Sequence, residues 1–193
     1  MPLEEHDLPD MMDDFRYLLQ NKLDGKLQNI IVSMHPSDIA ELVEKLSDDD
    51  DRAYLFDLMD AELASETLVE LDEVTRERLI ERLGNLRVSE LVDEMDSDDA
   101  AEIVSELADE DREEILKNVE DEDEREVREL LEFAEDSAGR IMALELVTVQ
   151  ENSTVDEAIN EIRKKAEEVE EVYNVYVIDD EGRLSGTLSL IHI

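Results

Sequence analysis

The chain has 193 residues, no cysteine and a formal net charge of −40, from 58 acidic and 18 basic residues. Disulfides and thiolate metal sites are therefore excluded, and nucleic-acid binding is disfavoured because phosphate contacts need clustered Lys and Arg. No window approaches the ~20 apolar residues that span a bilayer, and the acidic N-terminus lacks the apolar region of a signal peptide.

The acidity itself allows three interpretations. Acidic faces keep proteins apart and soluble, dense Asp and Glu are typical of proteins adapted to high salt, and a few carboxylates can bind cations. Composition alone does not choose among them.

Residues 1–14 are predicted to be a flexible acidic lead-in, and a ladder of short helices follows. A first helix is predicted to stop at Asp24-Gly25, and Ser37 is predicted to cap a helix after Pro36. This first helix is predicted over residues 15–23, and the other predicted helices cover residues 27–34, 51–59, 61–71, 75–83, 87–95, 98–107, 111–119 and 123–135.

Two steps of this ladder repeat each other. The pattern D-x-A-E-[LI]-V occurs at residues 38–43 and 99–104, and Arg52 and Arg112 follow at matching places. Helices this short are unstable alone and must stack on their neighbours. The repetition therefore predicts a superhelix of stacked helices.

The pattern changes after about residue 135. Strands are predicted over residues 144–149, 174–178 and 184–190, with a turn at 179–182. Thr154 and Glu157 have capping-box spacing and begin a helix, whose buried stripe is predicted to be Ala158, Ile159, Ile162 and Ala166. This β-α-β-turn-β unit leaves one sheet face poorly covered, so we expect it to be truncated or completed by a partner.

Three motifs carry a family resemblance. They are the junction E-D-S-A-G-R-I-M at residues 135–142, the strand-turn-strand at 175–184, and His35-Pro36-x-Asp38. Together they resemble the cytosolic part of MgtE-type magnesium transporters. The resemblance implies a mainly α fold, with a helical N domain at 15–135 and a small, incomplete α/β CBS domain at 136–193.

The resemblance also implies a function. The complete protein would be a homodimeric Mg²⁺ channel or transporter, and this region would lie on the cytoplasmic side of the membrane without inserting into it. Mg²⁺ bound between acidic domain faces would close the pore, and low Mg²⁺ would let those faces repel and open it. The missing CBS and transmembrane parts of the same protein would be its partners.

Carried onto this sequence, the resemblance implies Mg²⁺ ligands at Glu66, Asp98 and Glu102, with a backbone carbonyl near Gly139 as a further candidate. Asp98 and Glu102 are four positions apart, so they share a helix face. Mg²⁺ prefers oxygen ligands, often one or two carboxylates with water. The neighbouring acids that we expect to face solvent are Glu70, Asp99 and Glu106.

Other functions stay open. No nucleophile, phosphate loop or metalloprotease motif indicates an enzyme. CBS domains often bind ATP or a related nucleotide, for which Tyr173, Val175 and Ile178 are candidate contacts. One alternative is an interaction scaffold without ion sensing, since the helical part resembles the flagellar motor switch protein. A stand-alone nucleotide-sensing CBS protein is another.

Overall fold

The computed structural model describes residues 8–165 and 174–189 and divides them into eleven helices and three strands. The helices are α1 (Leu8–Gln20), α2 (Asp24–Ile31), α3 (Pro36–Glu44), α4 (Asp49–Asp57), α5 (Ala61–Val69), α6 (Glu73–Leu83), α7 (Asn85–Val92), α8 (Ser97–Glu106), α9 (Asp109–Leu116), α10 (Asp121–Leu131) and α11 (Val155–Lys165). The strands are β1 (Thr148–Gln150), β2 (Asn174–Ile178) and β3 (Leu184–Ser189).

The first ten helices form a stack in which many contacts join alternate helices. α3 packs on α5, α5 on α7 and α7 on α9, while α4 packs on α6 and α8 on α10. One continuous core runs through this stack. Its largest fully buried side chains are Phe15, Leu27, Ile31, Ile39, Leu42, Leu55, Phe56, Leu68, Leu79, Leu91, Ile103 and Ile115. The predicted mainly α fold is confirmed.

The sequence repeat has an atomic counterpart in a buried arginine. Arg52, at 7% exposure, reaches back from α4 to the end of α3. Its Nε donates to the Val43 carbonyl at 3.1 Å and its Nη2 to the Leu46 carbonyl at 2.6 Å. The last carbonyls of a helix have no partner within it, so this arginine satisfies them and joins two helices.

Arg112 makes the same set of bonds one repeat later. Its Nε donates to the Val104 carbonyl and its Nη2 to the Leu107 carbonyl, both at 3.0 Å. Each arginine also pairs with an aspartate three residues before it, Arg112 with Asp109 at 3.2 Å. The repeat predicted from the sequence is therefore a repeat of interactions as well as of helices.

The beginning of the chain differs from the prediction. α1 begins at Leu8 rather than at Phe15, and Met12 and Phe15 are both buried against the stack. The predicted lead-in therefore contains a helical part, and residues 1–7 lie outside the described residues. The predicted break at Asp24-Gly25 is also wrong, because the chain turns at Lys22, whose φ is 48°, and α2 starts at Asp24.

The cap of α3 also differs from the prediction. Pro36 is the first helical residue, and His35 occupies the N-cap position, where its Nδ1 accepts from the Ser37 amide at 3.4 Å. Proline suits a first helical position because it lacks an N–H that would go unsatisfied there. Ser37 consequently lies inside the helix and contacts the His35 ring through its hydroxyl at 2.8 Å.

The second domain has the predicted β-α-β-turn-β order. β1 pairs parallel with β2, and α11 lies between these two strands in the sequence. β2 pairs antiparallel with β3. The capping box is confirmed, since the Thr154 amide donates to Glu157 at 2.7 Å and the Glu157 amide to Thr154 at 3.3 Å. A separate small core contains Val147, Val149, Ala158 and Val175.

The first predicted strand is shorter than expected. Pairing begins at Thr148 rather than at residue 144, because Leu144 and Glu145 bond instead to Ser97 of α8. Ala166 and Leu190, predicted for the helix and the last strand, lie outside the described residues.

Replacing the repeated arginine tests its structural role. Arg52→Lys should lower the free energy of unfolding by about 2 kcal/mol. A single ammonium group cannot donate to all the backbone carbonyls that Arg52 bonds, so some of these acceptors would be left unsatisfied. Urea unfolding followed by far-UV circular dichroism measures this. Arg78→Lys, an exposed change on α6, is the control and should stay within about 0.5 kcal/mol of wild type; equal effects would contradict the assignment.

Candidate functional site

Two of the predicted ligands lie on α8. Asp98 is half-buried in the first turn of this helix, and Glu102 is exposed one turn later on the same side. The helix is held by its other side, where Ala100, Ile103 and Val104 are buried. Acidic residues in a first turn also interact favourably with the positive end of the helix dipole.

Glu102 is partly engaged by an arginine. Arg76, at 6% exposure, lies 3.4 Å from Glu102 and 2.6 Å from Glu106. Glu106, which we expected to face solvent, is exposed and is also the closer carboxylate partner of this buried guanidinium. A cation at Glu102 must share this carboxylate with Arg76, and the larger exposure of Glu102 leaves it accessible.

Glu66 lies on a different helix, α5. It lines a cavity of about 240 Å³ between the start of α3, α5 and the segment before α8. The cavity is strongly acidic, with Glu66, Glu70, Glu94, Asp96 and Asp99 in its lining. The structure thus groups Glu66 with Asp99, and it places Asp99 and Glu70, which we expected to face solvent, in the wall of a cavity.

A second acidic group was missed by the sequence analysis. Burial raises the pKa of Asp93, although the Glu120 amide donates to it at 2.8 Å. Burial, followed by repulsion from neighbouring carboxylates, also raises the pKa of Asp123 and of Glu126, with Glu145 acting on both. The group joins residues that are far apart in the sequence, because Asp93 precedes α8 whereas Glu145 follows the junction between the domains.

A complete metal site is not assembled within this part of the protein. Among residues 8–165 and 174–189, no three His, Asp or Glu side chains are grouped so that they would hold a metal ion. One or two carboxylates with water are nevertheless a usual arrangement for Mg²⁺. The assignment of Asp98 and Glu102 as Mg²⁺ ligands therefore stays a prediction.

The junction between the domains has a tight packing requirement. A Cβ on Gly139 would lie 2.6 Å from the ring of Phe133, at the end of α10. Glycine is thus the residue that lets this segment lie against the aromatic ring. The predicted carbonyl ligand near Gly139 belongs to this tightly packed stretch.

The predicted nucleotide contacts differ in their exposure to solvent. Val175 is fully buried in the second core, Ile178 is half-buried, and Tyr173 lies outside the described residues. Val175 is therefore unsuited to contact a ligand directly.

A ten-helix stack followed by a β-α-β-β unit is a helical domain joined to a small α/β module. Family comparison agrees with this class: residues 34–136 match the MgtE intracellular N domain, and residues 138–193 match the CBS domain. The chain belongs to the MgtE intracellular N domain family, and the resemblance seen in the sequence is confirmed.

Curated relatives match a short part of their own length. The chain is 44% identical over 61 residues to the magnesium transporter MgtE of Thermus thermophilus, and 40% identical over 63 residues to that of Enterococcus faecalis. These matches cover 32% and 33% of this chain, and 14% of each relative.

Solved structures match over nearly the whole chain. The cytosolic domain of the Mg²⁺ channel MgtE in complex with ATP superposes with a TM-score of 0.85 at 28% identity, covering 93% of this chain and 73% of that one. The soluble part of a magnesium transporter gives a TM-score of 0.84 at 22% identity, covering 95% and 72%. In the described ranges, no helix is both long and apolar enough to cross a membrane.

Removing one carboxylate of the second acidic group should stabilise the fold. The pKa of Glu126 is raised by burial and by Glu145, so its charged form costs stability above that pKa, and the cost disappears as the pH falls through it. Glu126→Gln should therefore gain roughly 0.5 kcal/mol at pH 7, a value reduced by solvent screening. Urea unfolding across pH measures this gain.

The pH dependence of this gain is the decisive feature. Below about pH 4 the carboxyl is protonated in both folded and unfolded states, so the advantage of Glu126→Gln should vanish. The control Glu129→Gln, an exposed position on the same helix, should give a smaller gain at pH 7. A gain for Glu126→Gln that persists unchanged at low pH would contradict the electrostatic explanation.

Proposed function

We propose that this chain is a magnesium-sensing regulatory region that controls a membrane pore formed by other parts of the same protein. The observation that carries the proposal is the order of its modules, an MgtE intracellular N domain followed by a CBS domain. The relatives that contain these modules are named magnesium transporters. The region would face the cytosol, and the complete protein would be a homodimer.

The electrostatics of the chain support cation sensing. Carboxylates held close together repel one another, and this cost falls when a divalent cation neutralises them. The α8 face carries Asp98 and Glu102, and the cavity beside it carries Glu66. Mg²⁺ bound there and to acidic groups of another domain would hold two negative faces together.

The gating step follows from differential affinity. An ion shifts an equilibrium between closed and open arrangements only by as much as it binds one of them more tightly. A site shared between two domains exists in the closed arrangement and is divided in the open one. Low Mg²⁺ would then release the interface, and repulsion between the acidic faces would drive the domains apart.

A nucleotide is proposed as a second ligand of the CBS module. One similar solved structure is the cytosolic domain of the Mg²⁺ channel MgtE in complex with ATP. In this chain Ile178, half-buried at the end of β2, is a candidate contact, whereas Val175 belongs to the core. ATP would therefore bind beside the C-terminal end of β2 rather than inside the second core.

The test of magnesium sensing is isothermal titration of Mg²⁺ into the full-length protein at fixed high ionic strength, which suppresses diffuse counterion attraction. Asp98→Asn/Glu102→Gln should weaken saturable binding at least fivefold, about 1 kcal/mol. Glu77→Gln/Glu81→Gln is the matched control, because it removes two exposed acids at the same spacing on α6 and should leave the affinity unchanged. Equal weakening by both variants would show diffuse attraction and favour the interaction-scaffold function.

A further inference from the structure

The segment between the two domains is hydrogen-bonded to the N-terminus of α8. One oxygen of Glu145 accepts from the Ser97 amide at 2.8 Å, and the other accepts from the Ser97 hydroxyl at 3.0 Å. The Leu144 amide in turn donates to the Ser97 hydroxyl at 3.0 Å. Ser97 is only 3% exposed, so this network is sheltered from water.

Glu145 acts as a helix cap supplied from outside the helix. The first amides of a helix have no partner within it and carry the positive end of its dipole. A carboxylate there makes charge-assisted hydrogen bonds, which are stronger than neutral ones. α8 is thereby capped by a residue that lies 48 positions further along the chain.

A second contact fixes the same helix one turn later. Arg140, at 7% exposure, donates from Nη2 to the Ala101 carbonyl at 3.0 Å. The preceding Gly139 lies against the ring of Phe133, so the segment cannot shift easily along α10. Two points of attachment define the orientation of α8 relative to the segment as well as its position.

The other end of the segment is fixed to the second domain. Val147, two residues after Glu145, is 2% exposed in the second core, and its carbonyl accepts from the Tyr176 amide at 2.9 Å. A short chain of contacts therefore runs from β2 through Val147 and Glu145 to Ser97. The next residue is Asp98, a candidate ligand.

We propose that Glu145 is a positioning residue for the acidic face of α8. It ties the orientation of Asp98 and Glu102 to the CBS module, so that movement of this module reaches the candidate cation ligands through the N-terminus of α8. The inference rests on the proposed function for its link to Mg²⁺, whereas the capping of α8 stands on the hydrogen bonds alone.

The neighbourhood of Glu145 offers a control that matches its charge. Glu126 is half-buried on α10 and close enough to Glu145 for the two carboxylates to repel each other. Glu145→Gln and Glu126→Gln remove the same charge from the same region. Only the first changes the Ser97 bonds, because glutamine replaces charge-assisted bonds by neutral ones and one of the two acceptor oxygens by an NH₂ group, for which the Ser97 hydroxyl would have to turn from donor to acceptor.

The experiment compares these variants in the full-length protein by hydrogen exchange and by Mg²⁺ titration. Glu145→Gln should accelerate amide exchange in the first turn of α8 at least fivefold and weaken Mg²⁺ binding at least threefold. Glu126→Gln should leave exchange in α8 unchanged. Unchanged exchange in Glu145→Gln, or equal acceleration by Glu126→Gln, would overturn the capping role.

Further outcomes separate this inference from the proposed function. Faster exchange with unaltered Mg²⁺ affinity, while Asp98→Asn/Glu102→Gln still weakens binding, would overturn the positioning role and leave magnesium sensing intact. Mg²⁺ binding insensitive to all these changes would defeat the proposed function and the positioning role together, with capping still reported by exchange.

Ser97→Ala provides a second route if Glu145→Gln folds poorly. It removes the hydroxyl bonds to Glu145 and Leu144 and keeps the bond from the Ser97 amide, so a smaller acceleration of exchange is expected. The double variant Ser97→Ala/Glu145→Gln should exceed Glu145→Gln by less than the effect of Ser97→Ala alone, because both changes break the bond between these two side chains. Fully additive effects would show that the two residues act separately and would overturn the inference.

Discussion

The structure of the helical domain depends on buried arginines that bond across helix ends. Its helices have 8–13 residues, too few to be stable alone, and their last carbonyls need partners. Arg52 and Arg112 each supply several donors to the end of the preceding helix, and Arg76 adds a bond to the end of α5. Arginine suits this role because its planar fork donates in several fixed directions and stays charged when buried.

Because arginines are used at helix ends in this way, few basic side chains remain to balance the strongly acidic surface. The chain has only 18 basic residues for 58 acidic ones, and several of the basic ones are buried at helix junctions. Carboxylates around the cavity at Glu66 and in the group at Asp123 and Glu126 consequently have other carboxylates as neighbours. The burial of arginines therefore stabilises the stack and also leaves acidic faces. A divalent cation would reduce the repulsion between the carboxylates of such faces.

The two domains are joined by more than a covalent linker. Glu145 caps α8, Arg140 bonds to its second turn, and Val147 belongs to the core of the next domain. A flexible linker would let α8 and the CBS module move independently, whereas these bonds hold α8 to the segment that enters the CBS module.

The sequence by itself determined the local structure and the family. Helix bounds from α4 to α9 agree with the prediction within about two or three residues, and the capping box at Thr154 and the order of strands are as expected, because capping and periodicity depend on near neighbours. Only the tertiary structure decided which acids meet. Glu66 lines a cavity together with Asp99 and not with Asp98. Glu102 forms an ion pair with Arg76, and Glu145 lies close enough to Glu126 to repel it. These contacts join residues tens of positions apart, and they depend on how the helices stack, which no local pattern encodes.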